Sequence, residues 1–142
     1  MMRLFPIQLI FLCVIGLLSS CEPKVNRRYY PTGQLQYVDS LDRSGHVRSI
    51  TLFRRDGTLE STSPLKNDSV HGIVKWYDEK GQLESTEVWD NGKKNGLVNE
   101  FYPNGVRKCL KVMRGNITVD TSNFYYPTGQ FVRFPESSAS CE

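Results

Sequence analysis

The sequence has little of what a catalytic or metal-binding protein needs. Histidine occurs only twice, as His46 and His71, and cysteine occurs four times in 142 residues. Two histidines without a third clustered ligand do not make a catalytic zinc site, so we interpret both as surface turn residues. The sequence contains no phosphate-binding loop, nucleophile elbow or Ser-His-Asp arrangement. These absences argue against an enzyme and lead us to expect no cofactor.

A large excess of one charge and helical periodicity are also missing. The formal net charge is +3 at pH 7, which is too small for a nucleic-acid footprint, and no basic stripe is present. After residue 20, no stretch repeats its apolar residues with the spacing of a helix. We therefore expect an all-β protein with no nucleic-acid partner and no evident small-molecule substrate.

A long hydrophobic run occurs only at the N-terminus. Arg3 is followed by an apolar run over residues 4–18; its length of about 15 residues is typical of a secretory signal, since a membrane span needs ~20. The ending Leu18-Ser19-Ser20-Cys21 resembles the lipobox of bacterial lipoproteins. This resemblance implies cleavage before Cys21, lipidation of its thiol, and anchoring to the cell membrane or the outer membrane, facing the periplasm or the cell surface. An ordinary secretory signal or an uncleaved anchor helix remains an alternative.

The rest of the chain has a fixed period. Five glycines follow one another at a constant interval of 24 residues (57−33, 81−57, 105−81, 129−105): Gly33, Gly57, Gly81, Gly105 and Gly129. An aromatic residue precedes each glycine by four positions. A constant period of this length indicates a repeat architecture.

The residues around each glycine predict a β-hairpin. In Tyr102-Pro103-Asn104-Gly105, proline and asparagine suit the centre of a type I turn, and the glycine suits a left-handed bulge. With the glycine as the bulge, the aromatic residue should lie opposite the residue two positions after the glycine, as Phe53 opposite Leu59. We predict ten strands in five successive hairpins, joined as an antiparallel meander.

The best copy of the repeat carries a resemblance to a known family. The segment from Gly72 to Tyr77, continued by Asn91-Gly92-Lys93-Lys94-Asn95-Gly96, resembles the MORN-variant repeat of bacteria, which is found in YwqK-type antitoxin-like proteins. The resemblance covers about residues 27–134, although Arg48 and Asp120 replace the glycines of the better copies. It implies an elongated antiparallel sheet that serves as an interaction surface, and it implies no catalytic residues.

These patterns divide the chain into four segments. We predict a lipoprotein signal peptide at residues 1–20, a lipidated cysteine and tether at 21–28, a repeat domain at 29–134 and a flexible tail at 135–142. The membrane, through the lipid anchor, and an unidentified protein are the expected partners.

If the glycine bulge of each turn is the only irregularity in strand pairing, the side chains divide between two faces of the sheet. This register places Val88, Leu110 and Val112 on the same face as Val74 and Phe124. In the last two repeats this face becomes apolar and tyrosine-rich, which is typical of an interface core. We therefore predict a partner-binding patch made of Tyr102, Leu110, Phe124, Tyr126 and Phe134. A tail folded over this patch is the alternative.

The cysteines after Cys21 allow two interpretations. Cys109 and Cys141 would form a disulfide if the tail folded back on the last repeat. Alternatively, Cys109 is half-buried in its strand and Cys141 is a free thiol in the tail. The second interpretation is favoured because Cys141 lies seven residues beyond the last strand signal.

Two functional hypotheses follow from these features. The first is a membrane-anchored protein whose repeat sheet binds or scaffolds other proteins in the cell envelope, without catalysis. The second is an antitoxin or an immunity-type inhibitor, which the family resemblance suggests. The export signal argues against an antitoxin that acts on a cytoplasmic toxin.

Overall fold

The computed structural model describes residues 24–132, except for the side chains of residues 121–123 and 132. The predicted signal peptide, Cys21, Phe134, Cys141 and the tail at 135–142 lie outside the described residues. None of the described residues belongs to a helix with the length and apolar character of a membrane span.

All the described strands belong to one antiparallel sheet, as the sequence predicts. They are β1 (Val25–Tyr29), β2 (Leu35–Leu41), β3 (Val47–Phe53), β4 (Leu59–Lys66), β5 (Ser69–Val70), β6 (Gly72–Tyr77), β7 (Leu83–Asp90), β8 (Lys93–Phe101), β9 (Arg107–Arg114), β10 (Ile117–Tyr125) and β11 (Phe131–Val132). Each strand pairs with the next along the chain, except that β4 pairs with both β6 and the short β5. The fold is therefore a meander of hairpins.

The five period glycines form the same turn in every repeat. Gly57 donates its N–H to the carbonyl of Arg54 at 3.0 Å, and Arg54 donates to the carbonyl of Thr58 at 2.8 Å; the other four turns repeat this pattern. All five glycines have positive φ, between 77° and 91°. Phe53 pairs with Leu59, and Tyr77 pairs with Leu83. The predicted turn and its aromatic pairing are confirmed.

A second bulge in four of the hairpins makes the predicted faces wrong. Tyr77 pairs with Leu83, but Trp76 pairs with Ser85, so Glu84 has no residue opposite it. The register shifts at the equivalent point beside Gln36, Glu60 and Lys108. Because side chains alternate between faces along a strand, one extra residue exchanges the faces for the rest of the pairing.

The buried side chains that the structure describes all lie on one face, which we call the buried face. Val74, Glu87 and Val98 are directly opposite one another on β6, β7 and β8. Ser61 pairs with Trp76, two residues from Val74, and Cys109 pairs with Glu100, two residues from Val98. The five strands β4, β6, β7, β8 and β9 each contribute one buried side chain. The core is therefore a thin strip that crosses the middle of the sheet.

The opposite side of the sheet, which we call the open face, carries exposed apolar side chains. Ile73 pairs with Val88, and Leu97 pairs with Val112. Ile73 and Leu97 are both about half exposed. Val88, Leu110 and Val112 therefore lie on the open face, whereas Val74 lies on the buried face.

Hydrogen bonds between neighbouring repeats join the turns to one another. The Tyr30 hydroxyl donates to the Phe53 carbonyl at 2.9 Å, and the Tyr102 hydroxyl donates to the Tyr125 carbonyl at 3.0 Å. Arg54 occupies the same place in its repeat, and its guanidinium donates to the carbonyls of Tyr77 and Asp78. The third residue before each glycine thus supplies a donor to the next repeat in three of the five copies.

Candidate binding surfaces

The residues of the predicted patch do not form one surface. Phe124 pairs with Cys109, whereas Leu110 is the next residue along β9 and pairs with Asn99, so Phe124 and Leu110 lie on opposite faces. Tyr102 uses its hydroxyl to bind the carbonyl of Tyr125. Phe134, as stated, lies outside the described residues. Grouping these residues on one face was wrong because the second bulge was not anticipated.

Exposed apolar side chains nevertheless concentrate at the C-terminal end of the described sheet. Ile117, Val119, Tyr126 and Phe131 account for four of the seven large exposed hydrophobic residues found among residues 24–132. Ile117 is the most exposed of them, at 69%. Tyr126 was part of the predicted patch, whereas Ile117 and Val119 were missed because the sequence does not show which side of β10 is covered.

Within the part of the chain that the structure describes, the last long strand also has an unpaired backbone edge. Strand β10 pairs with β9 along one side, but on its other side only Phe124 and Tyr125 pair with β11. No described residue pairs with the outer edge of residues 117–123. Unpaired N–H and C=O groups at such an edge are a template for an added strand.

The buried face contains a charged cluster with matched partners. Glu87 is almost completely buried, and its carboxylate accepts hydrogen bonds from the Lys94 ammonium at 2.6 Å and from the Trp89 indole at 2.9 Å. Lys111 donates to Glu100 at 2.6 Å on the same face. The two carboxylates are thus neutralised by lysines, which is the arrangement expected of a structural ion pair rather than of a catalytic acid or base.

The burial and bonding of Cys109 differ from the interpretation that the sequence favours. This cysteine is completely buried, and it is disulfide-bonded. It is the only cysteine between residues 24 and 132; Cys141, the partner considered from the sequence, lies outside the described residues. The expectation of a half-buried and unpaired Cys109 was therefore wrong. Its burial follows from its place on the buried face, opposite Glu100 on β8 and Phe124 on β10.

The two histidines, which the sequence analysis interprets as surface turn residues, line one cleft. This cleft has a volume of about 660 Å³ and lies between the β2–β3 turn and the β4–β6 connection. Nδ1 of His46 is 3.8 Å from Asp42, and Nδ1 of His71 is 3.2 Å from Asp90. Within residues 24–132, no group of three or more histidine, cysteine and carboxylate side chains is arranged to hold a metal ion.

Two aspartates, the partly exposed Asp42 and the exposed Asp56, stabilise turns through their carboxylates. Backbone N–H groups of His46 and Ser44 donate to Asp42, and this hydrogen bonding, mainly that of His46, holds the pKa of Asp42 below its usual value. The hydroxyl and the N–H of Thr58 both donate to Asp56 and lower its pKa in the same way. Both carboxylates therefore act as turn acceptors, which is a structural role.

Comparison with known proteins adds one finding. No curated protein and no solved structure matches the chain. Residues 70–93, which span the hairpin of β6 and β7 with its flanking turns and equal one repeat period, match the MORN repeat variant.

Proposed function

We propose that this protein is a lipid-anchored component of the bacterial cell envelope whose repeat sheet binds another protein and catalyses no reaction. A MORN repeat variant suggests a repeat-based binding or scaffold module, and repeats of this family are generally non-catalytic. The carboxylates of Glu87 and Glu100 on the buried face are paired with lysines, which suits a structural role for this face.

The anchor is the first part of the proposal. Its support is the apolar run that ends in Leu18-Ser19-Ser20-Cys21. Two or three acyl chains on Cys21 would hold the protein durably at a membrane, whereas a single chain would not. The anchor would attach immediately before β1, so the whole sheet would be presented beside the membrane.

The anchor is tested by replacing Cys21. We expect Cys21→Ala to release the protein from the membrane fraction or to leave an unprocessed precursor. Cys13→Ala is the matched control, because Cys13 lies within the apolar run that would be removed; it should change neither fractionation nor mass. Normal processing and unchanged membrane partition of Cys21→Ala would rule out lipidation at this residue.

The second part of the proposal is that the partner binds at the outer edge of residues 117–123 on β10, which we call the C-terminal edge. The observation that carries it is that no described residue pairs with this edge. An extended segment of a partner would pair with the free backbone groups of residues 117–123 and would contact Ile117 and Val119, which are both exposed. Strand addition of this kind takes its affinity from main-chain hydrogen bonds and its specificity from side chains beside the edge.

The edge is tested by charge substitutions in a capture experiment from detergent-solubilised envelope. Lysine on an edge strand opposes strand addition, so Ile117→Lys combined with Val119→Lys should abolish capture of the partner. Ile73→Lys is the matched control, since Ile73 is a comparably exposed residue in the middle of the open face. Capture that survives the double substitution, or that is lost equally in Ile73→Lys, would refute the edge as the binding site.

The inhibitor hypothesis is distinguished by the identity of the captured protein. A partner that is toxic when expressed alone, and harmless together with this protein, would favour an immunity-type inhibitor over a scaffold.

A further inference from the structure

The cleft that contains His46 and His71 forms where the repeat pattern is broken. In the better copies the equivalent glycines lie directly against a neighbouring strand: a Cβ at Gly72 would be 3.0 Å from Pro64, and one at Gly96 would be 2.9 Å from Val88. Arg48 stands 24 residues before Gly72 and does not have positive φ. The exception to the repeat thus places a long cationic side chain beside the cleft.

A second cation without an acidic partner lines the same cleft. Lys66, at the end of β4, is a lining residue together with Arg48. Among the described residues, neither has a carboxylate within ion-pair distance, whereas Lys94 and Lys111 each do. Val47 and Leu65 add apolar surface to the wall. Most of the lining residues are nevertheless polar or charged, so the cleft suits a small charged ligand rather than an apolar one.

The charge of the cleft depends on its histidines. Its other charged lining groups are Asp42 and Asp68, so the two cations and two carboxylates cancel while the histidines are neutral. Asp42 is already occupied by backbone N–H groups of its own turn. Asp90 does not line the cleft, but its carboxylate lies 3.2 Å from Nδ1 of His71 and offsets one positive charge there. When both histidines are protonated, the lining groups carry two net positive charges.

We propose that this cleft binds a small oxyanion of the carboxylate or phosphate type, and that it binds more tightly as His46 and His71 become protonated. Arg48 supplies planar N–H donors suited to a two-oxygen contact, and Lys66 supplies a point charge. The site shares no residue with the C-terminal edge and is independent of the proposed partner.

The test is a calorimetric titration of the full chain in detergent with sulfate and, separately, with lactate. The charges of both anions are constant between about pH 5.5 and pH 7.5, a window centred on the usual histidine pKa, so any change reports on the protein. We expect saturable binding of at least one anion, about tenfold tighter at the lower pH. Sulfate alone would indicate a phosphate-type ligand, and lactate alone would indicate a carboxylate.

Three variants show whether the binding is at this cleft. Arg48→Gly restores the residue of the better copies, and Lys66→Gln removes the second cation; each should weaken binding about tenfold or more, as loss of a charged contact does. Arg114→Gln is the matched control, because Arg114 occupies the position of Lys66 two repeats later and does not line the cleft. It should leave binding unchanged.

The histidines are tested together. His46→Gln with His71→Gln should keep the weak binding found at the higher pH and should lose the gain at the lower pH. Circular dichroism establishes that each variant is folded. The proposal is overturned by an absence of saturable binding to both anions at both pH values, by binding that Arg48→Gly leaves intact, or by a pH dependence that survives without the histidines.

Discussion

At the residue scale, the glycines of this sheet are needed for different reasons. The turn glycines, such as Gly81 with φ of 77°, have nothing within 4 Å of a potential Cβ. Gly96 combines a positive φ of 136° with a potential Cβ only 2.9 Å from Val88. Substitution at a turn glycine therefore strains only the backbone, whereas substitution at Gly96 also forces two strands apart.

We predict that Gly96→Ala is more destabilising than Gly81→Ala. The turn substitution should lower the free energy of unfolding by about 1 kcal/mol and the strand substitution by about 2–4 kcal/mol, since backbone strain and overpacking add. Urea denaturation measures both values. Val88→Ala in the Gly96→Ala background should recover part of the loss, because it removes Cγ1, one of the two Val88 atoms at 2.9 Å, while Cβ stays in place. Equal costs at the two glycines would show that the close contact with Val88 has no energetic effect.

The turn aspartates should make stability depend on acidity. The pKa of Asp56 is lowered from 3.8, mainly by the hydroxyl of Thr58 and then by its N–H. The folded state therefore binds fewer protons than the unfolded chain at low pH. The contribution of Asp56 is fully present above its unfolded pKa and is lost as the pH falls through the lower, folded pKa.

We predict that Asp56→Asn reduces the loss of stability below about pH 4, the region in which the unfolded carboxylate becomes protonated. Urea denaturation over a series of pH values measures this difference. Thr58→Ala should have a similar effect, because it removes the largest cause of the low pKa. An acid-unfolding profile identical to that of the unmodified protein would contradict this role for Asp56.

At the scale of the elements, neighbouring hairpins are joined by side chains as well as by the strand ladder. Arg54 is the most highly connected example, since its guanidinium donates to the carbonyl of Leu59 in its own hairpin and to those of Tyr77 and Asp78 in the next. At the other end of the strands, the N–H of Asn116 donates to the carbonyl of Lys94 at 2.9 Å. Turns at both ends of the hairpins are thus held against the adjacent hairpin.

We predict that Arg54→Gln lowers the free energy of unfolding by about 2–3 kcal/mol, because hydrogen bonds from a charged donor are lost and carbonyls at the turn lose their partner. The matched control is Arg55→Gln in the same turn, whose guanidinium only lies over the Tyr30 ring at 5.7 Å. It should cost less than about 1 kcal/mol, the upper value for an exposed cation–π contact. Similar costs for Arg54 and Arg55 would show that Arg54 does not join the hairpins.

At the scale of the whole molecule, the central strands of the described sheet are the most protected from solvent. The buried side chains come from β4, β6, β7, β8 and β9, whereas most residues of β1 are exposed. In a repeat array, stability is approximately the sum of contributions from each unit and its neighbours, so units with fewer buried contacts open first.

We therefore predict that native-state hydrogen exchange is slowest in β6, β7 and β8 and fastest in β1 and along the outer edge of β10. Mass spectrometry of peptic fragments from the full chain measures these rates. The reason is that Val74, Glu87 and Val98 are buried side by side across the three central strands. Uniform exchange along the array, or slower exchange in β1 than in β7, would contradict a central core.

The sequence alone determined the hairpins, because their signals are local. Proline, asparagine and glycine in one turn specify its backbone within four residues, and the constant period repeats that information along the chain. The strand order follows, since consecutive hairpins in a meander pair with their neighbours. The pairing of Phe53 with Leu59 could therefore be predicted without the structure.

Only the tertiary structure decided which face each side chain occupies, because that depends on register across whole strands. One unpaired residue in a hairpin moves the side chains beyond it to the other face: Glu84 moves Val88, and Lys108 moves Leu110. The polar side chains of Glu84 and Lys108 are no different in type from those of ordinary exposed strand residues. The cleft around Arg48 and the open edge of β10 were hidden for the same reason. Both depend on contacts between residues far apart in the chain, which the pattern of residue types within one repeat does not encode.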